Sequence, residues 1–439
     1  MSNTNNIKDN LKQALVEWHE FKIPLFSSRG YGRKTLENKR LLSIIGPRRA
    51  GKTFVCFEII TDLVQSGIPR QNIIYMNFED ERLVPLSGAE LTNLLDVHAQ
   101  VFTTNPECPF YCFLDEIQNV PSWSKWVRRI TDLRPEITVV VTGSSSKMLS
   151  TEIASELRGR GSSITIFPYS FKEYLNANNY NIDVSERLLY SSEKNTLQKY
   201  CNEFYTQGGF PAVVGRTEYR EMLQEYYRAM FTRDIVERFT IKNVRQFEDF
   251  LKIIITRFSS LVSISNIENV MREFGYSMSK NTLQTYLGYA KDAFLLFDIC
   301  KFDSKITNQL RAPRKIYAVD NGLLNAIRFS TSEDRGRILE NVVFMELQRR
   351  YNTIFYHHDK TECDFVVMVN NKIADCFQVC WSLENIETKD REIRGLVNAL
   401  KTYNIGIGYI LTDSESADLD IDGKKIIVRP FWYFALQSV

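Results

Sequence analysis

The residues with the clearest chemical arrangement lie near the start of the chain. Gly46-Pro47-Arg48-Arg49-Ala50-Gly51-Lys52-Thr53 follows the apolar run 41–45 and opens a segment of helical periodicity, 52–65. This is a G-x-x-x-x-G-K-T spacing set between a strand and a helix. Glycines at both ends let the backbone N–H groups wrap phosphate oxygens at a helix N-terminus. Lys52 is placed to neutralise the β and γ phosphates of ATP, and the Thr53 hydroxyl to ligate Mg²⁺. Pro47, Arg48, Arg49, Ala50 and Phe54 complete the expected nucleotide contact.

A second group matches the first. The apolar run Phe110-Tyr111-Cys112-Phe113-Leu114 ends in Asp115-Glu116. An aspartate at the end of such a strand suits Mg²⁺, and the adjacent glutamate suits a general base that polarises the attacking water. Glu116 could also cap a following helix; the two roles are compatible, and the strand-then-Asp-Glu context favours catalysis. The next strand-like run, 137–142, ends in Gly143-Ser144-Ser145-Ser146, at the edge where open α/β sheets bind ligands. Ser144 or Ser145 is a candidate for reading the γ phosphate, with helix capping as the alternative. In Leu157-Arg158-Gly159-Arg160, Arg160 ahead of Arg158 is a candidate arginine finger on a neighbouring subunit's ATP. A solvated basic turn is the alternative.

The elements that position these groups read as strand, turn, helix, strand. Segments 41–45, 73–78, 110–114, 137–142 and 164–167 predict short buried strands alternating with helices, and hence a parallel α/β sheet. An amphipathic helix is expected over 9–21, with Leu11, Leu15 and Trp18 on one face. Helical periodicity follows over 171–177, 193–207 and 218–238, and a second α/β pattern begins near Lys315. The 439 residues, 44% hydrophobic and 25% charged, fit a soluble multidomain protein. A formal charge of +2 puts any basic surface at a local patch. No secretory signal and no membrane-length apolar run is seen, and the eight scattered cysteines suit a reducing cytoplasm. The Cys108/Cys112 and Cys376/Cys380 spacings read as buried apolar cysteines rather than a zinc site.

With these residues in view, the chain resembles a group of prokaryotic AAA+ superfamily ATPases that join an AAA-type module to a winged helix and a C-terminal restriction-endonuclease-like domain. The resemblance rests on GPRRAGKT (46–53), FLDEIQ (113–118), VVVTGSSSKML (139–149), LRGR (157–160), FPYSFKEYL (167–175), GGFPAVV (208–214), KIYAVDNGL (315–323), GRILENVVFMEL (336–347), ECDFVV (362–367) and QVCWSL (378–383). It implies nucleotide-dependent homo-oligomers, commonly rings, and leaves the substrate open. The expected organisation is an N-terminal helical segment (1–37), an AAA+ P-loop core (38–168), a helical lid (169–240), a winged helix (241–314) and a degenerate PD-(D/E)xK-like α/β domain (315–439).

In the winged-helix segment, Ser279 would cap a helix presenting Lys280, Asn281 and Gln284, with Arg311, Arg314 and Lys315 following as a wing or linker. Such side chains suit phosphates and base edges of DNA, and an ordinary packing module is the alternative. A nuclease of the last domain's type needs a helix acid, a strand Asp, a Glu or Gln, and a Lys. Glu340, Asp364 and Gln378 match the first three, but Cys380 stands at the lysine position and a neutral thiol carries no charge. The expectation is therefore a nuclease-like domain that does not cut, with Arg391 as the first candidate for the missing charge.

These residues lead to an expectation of a Mg²⁺-dependent ATPase that binds and remodels or translocates on DNA. The alternatives are a nucleotide-switched regulator or defence protein acting on protein partners, and an ATP-gated nuclease. A finger that acts between subunits has a direct consequence. Mixing Arg160→Ala with Glu116→Gln chains should restore part of the phosphate release, because mixed interfaces pair an intact Glu116 with an intact Arg160. Absence of recovery in mixtures shown to co-assemble would count against a finger in trans.

Overall fold

The computed structural model describes residues 2–83, 86–145, 161–182, 184–328 and 334–437. Its contacts divide the chain into two compact units, residues 1–167 and 168–439.

The first unit is built on five short strands: β1 (Leu41–Ile45), β2 (Ile73–Asn77), β3 (Phe110–Asp115), β4 (Ile137–Gly143) and β5 (Ser162–Thr165). They pair in the order β2-β3-β4-β1-β5, all parallel. Largely apolar runs such as 41–45 form these strands because helices cover both faces of a parallel sheet. The register sets Asn77 beside Asp115 and Ile45 beside Gly143, so the carboxyl ends of the strands line up along one edge. The N-terminal helix, Ser2–Glu20, belongs to this unit. Its Leu11, Leu15 and Trp18 are buried, the Trp18 indole N–H donates to the Ile73 carbonyl at 3.2 Å, and the Arg70 guanidinium lies 4.4 Å from the indole centroid.

The second unit opens with the helix Phe171–Ala177, whose motif is a capping box. The Ser170 hydroxyl accepts from the Glu173 N–H, and the Glu173 carboxylate accepts from the Ser170 N–H. The helices Glu193–Gln207 and Tyr219–Ala229 follow, the latter running into a π-helical stretch, Met230–Glu237. Next come the helix Val244–Thr256, β6 (Ser260–Val262), the helices Ile264–Glu273 and Lys280–Asp292, β7 (Leu296–Lys301), the short helix Ile306–Arg311 and β8 (Arg314–Ala318). β8 pairs antiparallel with both β6 and β7.

The rest of this unit contains the helices Asn321–Ile327 and Arg335–Arg350, then β9 (Ile354–His358), β10 (Glu362–Val369) and β11 (Lys372–Val379). The helix Ile386–Thr402 leads into β12 (Ile407–Thr412), β13 (Ala417–Ile421), β14 (Lys424–Pro430) and a last helix, Phe431–Leu436. A parallel pairing of Cys300 with Phe355 and Lys301 with Tyr356 joins β7 to β9. The result is one nine-stranded sheet, β13-β14-β12-β11-β10-β9-β7-β8-β6. The division expected between 314 and 315 falls inside β8, and the segments expected as lid, winged helix and nuclease-like domain lie in a single compact unit.

Two of the sequence motifs in this unit are explained by one buried carboxylate. Asp320 accepts N–H bonds from Gly209 at 2.7 Å and from Leu323 at 2.9 Å. Burial pushes its pKa up to about 6, against the pull of these N–H groups. Gly208 has φ +74, and a Cβ there would sit 2.0 Å from the Asp320 carboxylate; a Cβ on Gly209 would meet the Tyr169 carbonyl at 2.3 Å. The glycine pair thus lets segment 208–211 lie against segment 320–323 and the start of the unit. Asp320→Ala should leave two buried donors unpaired and destabilise this unit by about 1–3 kcal/mol. Gly209→Ala should cost more, because backbone must move. Thermal denaturation followed by circular dichroism checks both, and an Asp320→Ala chain that melts with the native one would remove the assigned role.

Candidate functional site

The glycine loop leaves β1 at its carboxyl end and enters the helix Lys52–Gln65. Gly46 holds φ +151, and a Cβ on it would lie 2.0 Å from the Ile166 carbonyl, so no other residue fits this turn. Gly51, at φ 96, is the N-cap of the helix. Lys52 is buried, and its ammonium lies 3.3 Å from the Gly46 carbonyl, 3.2 Å from the Pro47 carbonyl and 3.5 Å from Glu116 Oε1. The Arg48 guanidinium reaches Glu79 Oε1 at 2.8 Å, Arg49 has a left-handed φ of 67°, and Phe54 is exposed with its ring edge toward Phe26.

Asp115, at the end of β3, is the most constrained side chain of the site. Its Oδ2 accepts from the Thr53 hydroxyl at 2.7 Å and from the Tyr75 hydroxyl at 2.8 Å, while Oδ1 accepts from the Thr142 hydroxyl. Burial raises its pKa, the neighbouring Glu116 charge adds to this, and the three hydroxyls pull the other way. Glu116 follows in the left-handed region, φ 52, with its N–H bonded to the Thr142 hydroxyl at 2.9 Å and a carboxylate oxygen bonded to the Gln118 amide. Burial works against its charge, but Lys52, Gln118 and Arg48 outweigh it and hold Glu116 below the usual glutamate range. At neutral pH Glu116 is therefore ionised and able to take a proton. Ser144 and Ser145 are buried just beyond β4. Arg158 and Arg160 lie outside the described residues.

Residues that only the structure reveals here are Tyr75, Thr142, Gln118 and Arg29. Arg29 donates to the Ala50 carbonyl and to the Phe167 carbonyl, both at 3.0 Å, and its backbone N–H is held by Glu58. Thr142 carried a sequence signal, as the polar residue ending an apolar strand; Tyr75 and Arg29 carried none.

The second unit holds a separate cleft of about 710 Å³. Glu340 comes from the helix Arg335–Arg350 and Asp364 from β10, as the sequence spacing suggested. The charge does not come from the expected places. The Cys380 thiol donates to the Ser382 carbonyl at 3.0 Å, packs in an apolar cluster with Ile393 and Leu396, and is pushed up to about 11 by burial. Arg391 is largely exposed and pairs with Glu392 Oε1 at 2.6 Å. Instead, the Lys315 ammonium, from β8, lies 2.7 Å from Asp364 Oδ1, 2.7 Å from Glu362 Oε1 and 3.1 Å from Glu340 Oε1. Tyr317, two residues on along the same strand face, donates to Glu340 Oε1 at 2.7 Å. Burial raises the Glu340 carboxyl to about 7, with Lys315 opposing. Gln378 spans two residues: its carbonyl accepts the Asp364 N–H at 3.2 Å, and its amide donates to Glu392 Oε2 at 2.5 Å. Glu362 and Asp364 alternate along one strand, which was a readable signal; Lys315 was not, because it is far from them in sequence.

Of the candidate DNA contacts, Lys280, Asn281 and Gln284 are exposed on the helix that Ser279 caps, and Arg311 is exposed at the end of a short helix. Arg314 is tied back, 3.0 Å from Asp298 Oδ2 and 3.0 Å from the Cys300 sulfur, and does not project as a wing residue would.

Residues 38–175 match a family model described as an AAA domain, and residues 198–334 match one described as a domain of unknown function (DUF8612). The uncharacterized protein MJ1544 of Methanocaldococcus jannaschii is 37% identical over 418 residues, 92% of this chain and 89% of that protein. An uncharacterized protein of Haemophilus influenzae is 30% identical over 393 residues, 89% of this chain and 93% of its own length. Among solved structures, the Walker-type ATPase paby2304 of Pyrococcus abyssi aligns with a TM-score of 0.45 and 14% identity, over 70% of this chain and 99% of that one. The first unit is a P-loop domain of the AAA class. Lys52→Ala should abolish tight ATP binding by removing the phosphate counter-charge. Glu116→Gln should bind ATP normally yet release phosphate about 10²–10⁴-fold more slowly. An unaltered turnover rate in Glu116→Gln would rule out the general-base role.

Proposed function

This chain belongs to the family of the Methanocaldococcus jannaschii protein MJ1544, and we propose that it is a Mg²⁺-dependent ATPase that couples hydrolysis to the handling of DNA. The observation that carries the ATPase reading is the convergence of Lys52, Thr53, Asp115 and an ionised Glu116 along one sheet edge. Thr53 Oγ1 and Asp115 Oδ2 face each other at 2.7 Å, the oxygen pair that would hold Mg²⁺, so the residues present fit the ion. Bound there, Mg²⁺ would neutralise charge on the β and γ phosphates. Lys52 exchanges its two loop carbonyls for phosphate oxygens, Glu116 accepts the proton of the attacking water, and Gln118 fixes the Glu116 carboxylate. Homo-oligomers, with Arg160 supplied to a neighbour's nucleotide, complete the proposal.

The DNA reading draws on the second unit. Three helices and the antiparallel strands β7-β8-β6 follow one another as in a winged helix, and the helix of Lys280, Asn281 and Gln284 presents those side chains to solvent. The elements from Arg335 to Thr412 follow the order of a restriction-endonuclease-like core, with Glu340 and Asp364 in its cleft. We take this core to bind without cutting. A protein-directed regulator is the second reading, favoured by one feature: Ile306 and Leu310, between β7 and β8, are 62% and 65% exposed. Apolar side chains in that position suit a protein partner better than a phosphate backbone.

ATP turnover measured with single-stranded, duplex and four-way DNA separates the two readings. DNA should stimulate turnover, and binding should be largely sequence-independent and fall steeply with salt as counterions are released. Reversing Lys280 and Arg311 to Glu should weaken binding while leaving DNA-free turnover unchanged. No binding at low salt in any nucleotide state would move the protein-partner reading ahead.

A further inference from the structure

Four carboxylates, Glu340, Glu362, Asp364 and Glu392, line the cleft of the second unit together with five basic residues, Lys315, Arg337, Lys360, Arg391 and Arg394. Arg391 pairs with Glu392 and Arg337 turns to backbone carbonyls and Asp334, while Lys315 forms ion pairs with Glu340, Glu362 and Asp364. Carboxylates brought together in this way ordinarily require a cation among them. The chain provides one. The Lys315 ammonium meets three carboxylates from two elements, Glu340 from a helix and Glu362 and Asp364 from alternate positions of β10. It donates hydrogen bonds to Glu340 and Asp364 and forms an ion pair with Glu362, so its charge is already engaged. The oxygens stand 2.7–3.1 Å from the nitrogen. That is the shell of an ammonium, wider than the roughly 2.0–2.6 Å of Mg²⁺ or Ca²⁺.

Other groups of the chain also bond to these carboxylates. Asp364 Oδ2 accepts the Val379 N–H at 2.9 Å, and Glu340 Oε1 also accepts the Tyr317 hydroxyl. Gln378, the third position of the expected metal set, has turned its carbonyl to a backbone N–H and its amide to Glu392. Among the described residues, no group of three or more Asp, Glu, His or Cys side chains is arranged to hold a metal ion. Lys315 itself is almost fully enclosed, at 3% exposure, on a strand paired on both sides, so the ammonium is fixed in place by the sheet.

We propose that Lys315 is a built-in cation occupying the position of a divalent metal in this cleft, so that Glu340, Glu362 and Asp364 serve a site that takes no metal ion. The inference rests on the nuclease-like reading of the core and deepens it. The cleft is kept assembled by covalently attached charge, indifferent to the supply of Mg²⁺, and lacks both the metal-activated water and the free ammonium that phosphodiester cleavage would need.

Counting bound Mn²⁺ by electron paramagnetic resonance, in nucleotide-free full-length chains, tests this. The nucleotide loop contributes equally to every variant, so differences report on the cleft. Native and Asp364→Asn chains should bind the same number of ions. Lys315→Met should bind one ion more, and Lys315→Met/Asp364→Asn should lose it again. A native chain that binds one ion more than Asp364→Asn would overturn the built-in cation while leaving the nuclease-like reading standing. A folded Lys315→Met chain that gains no ion would overturn both. Should Lys315→Met fold only when Mn²⁺ is supplied, that dependence itself supports the proposal. Should it not fold at all, the native against Asp364→Asn comparison decides.

Discussion

A charge taken out of water must be met by opposite charge or by well-aimed dipoles in its immediate neighbourhood, and both units are organised around that requirement. Among the described residues each buries one lysine, Lys52 beside one carboxylate and Lys315 against three. In the first unit Lys52 rests on two carbonyls at 3.2–3.3 Å and on Glu116 at 3.5 Å, all long contacts that an incoming phosphate can replace. In the second, Lys315 has three carboxylates, two of them at 2.7 Å. The same residue type is thus lent in one place and committed in the other, and the difference lies in how many short contacts hold the nitrogen.

The carboxyl edge of the parallel sheet makes the first arrangement possible. Strand register brings Asp115, Glu116 and Thr142 together at the ends of β3 and β4, and the helix that follows β1 brings Thr53 to them. Thr142 is central to this. One hydroxyl donates to the Asp115 carboxylate and accepts from the Glu116 backbone N–H, so it ties the end of β3 to β4. Asp115 is turned toward Thr53, and Glu116, in a left-handed conformation, toward Lys52.

Much of this was legible in the sequence, and the reasons differ by element. The strand 41–45 and the helix 52–65 were readable because glycines mark the turn between them and the run before it is almost wholly apolar. Leu11, Leu15 and Trp18 declared their buried face by spacing alone. The strand 417–421 was not readable: Ala417-Asp418-Leu419-Asp420-Ile421 is mostly exposed and owes its conformation to pairing with β14. The cleft of the second unit was half legible. Glu340 and Asp364 sit where motif spacing put them, but the counter-charge sits on β8, which reaches them through a pairing between β7 and β9 that local sequence does not encode. Cys380 stands as the uncharged thiol its motif position suggested, while the charge arrives from another strand.

The joint between β7 and β9 also bears on how such a chain can be recombined. Proteins with several modules commonly trade them as cassettes at exposed linkers where few contacts cross. Here the place that looks like a linker, near residue 314, begins the strand bearing the lysine, while its three carboxylates follow tens of residues later. A crossover just after Lys315 would give the offspring carboxylates with whatever residue the other parent supplied in that strand. Only parents with a basic residue in register there would yield a sound core. An exchange that keeps the lysine with its carboxylates would have to carry β8 together with the helix Arg335–Arg350 and β10.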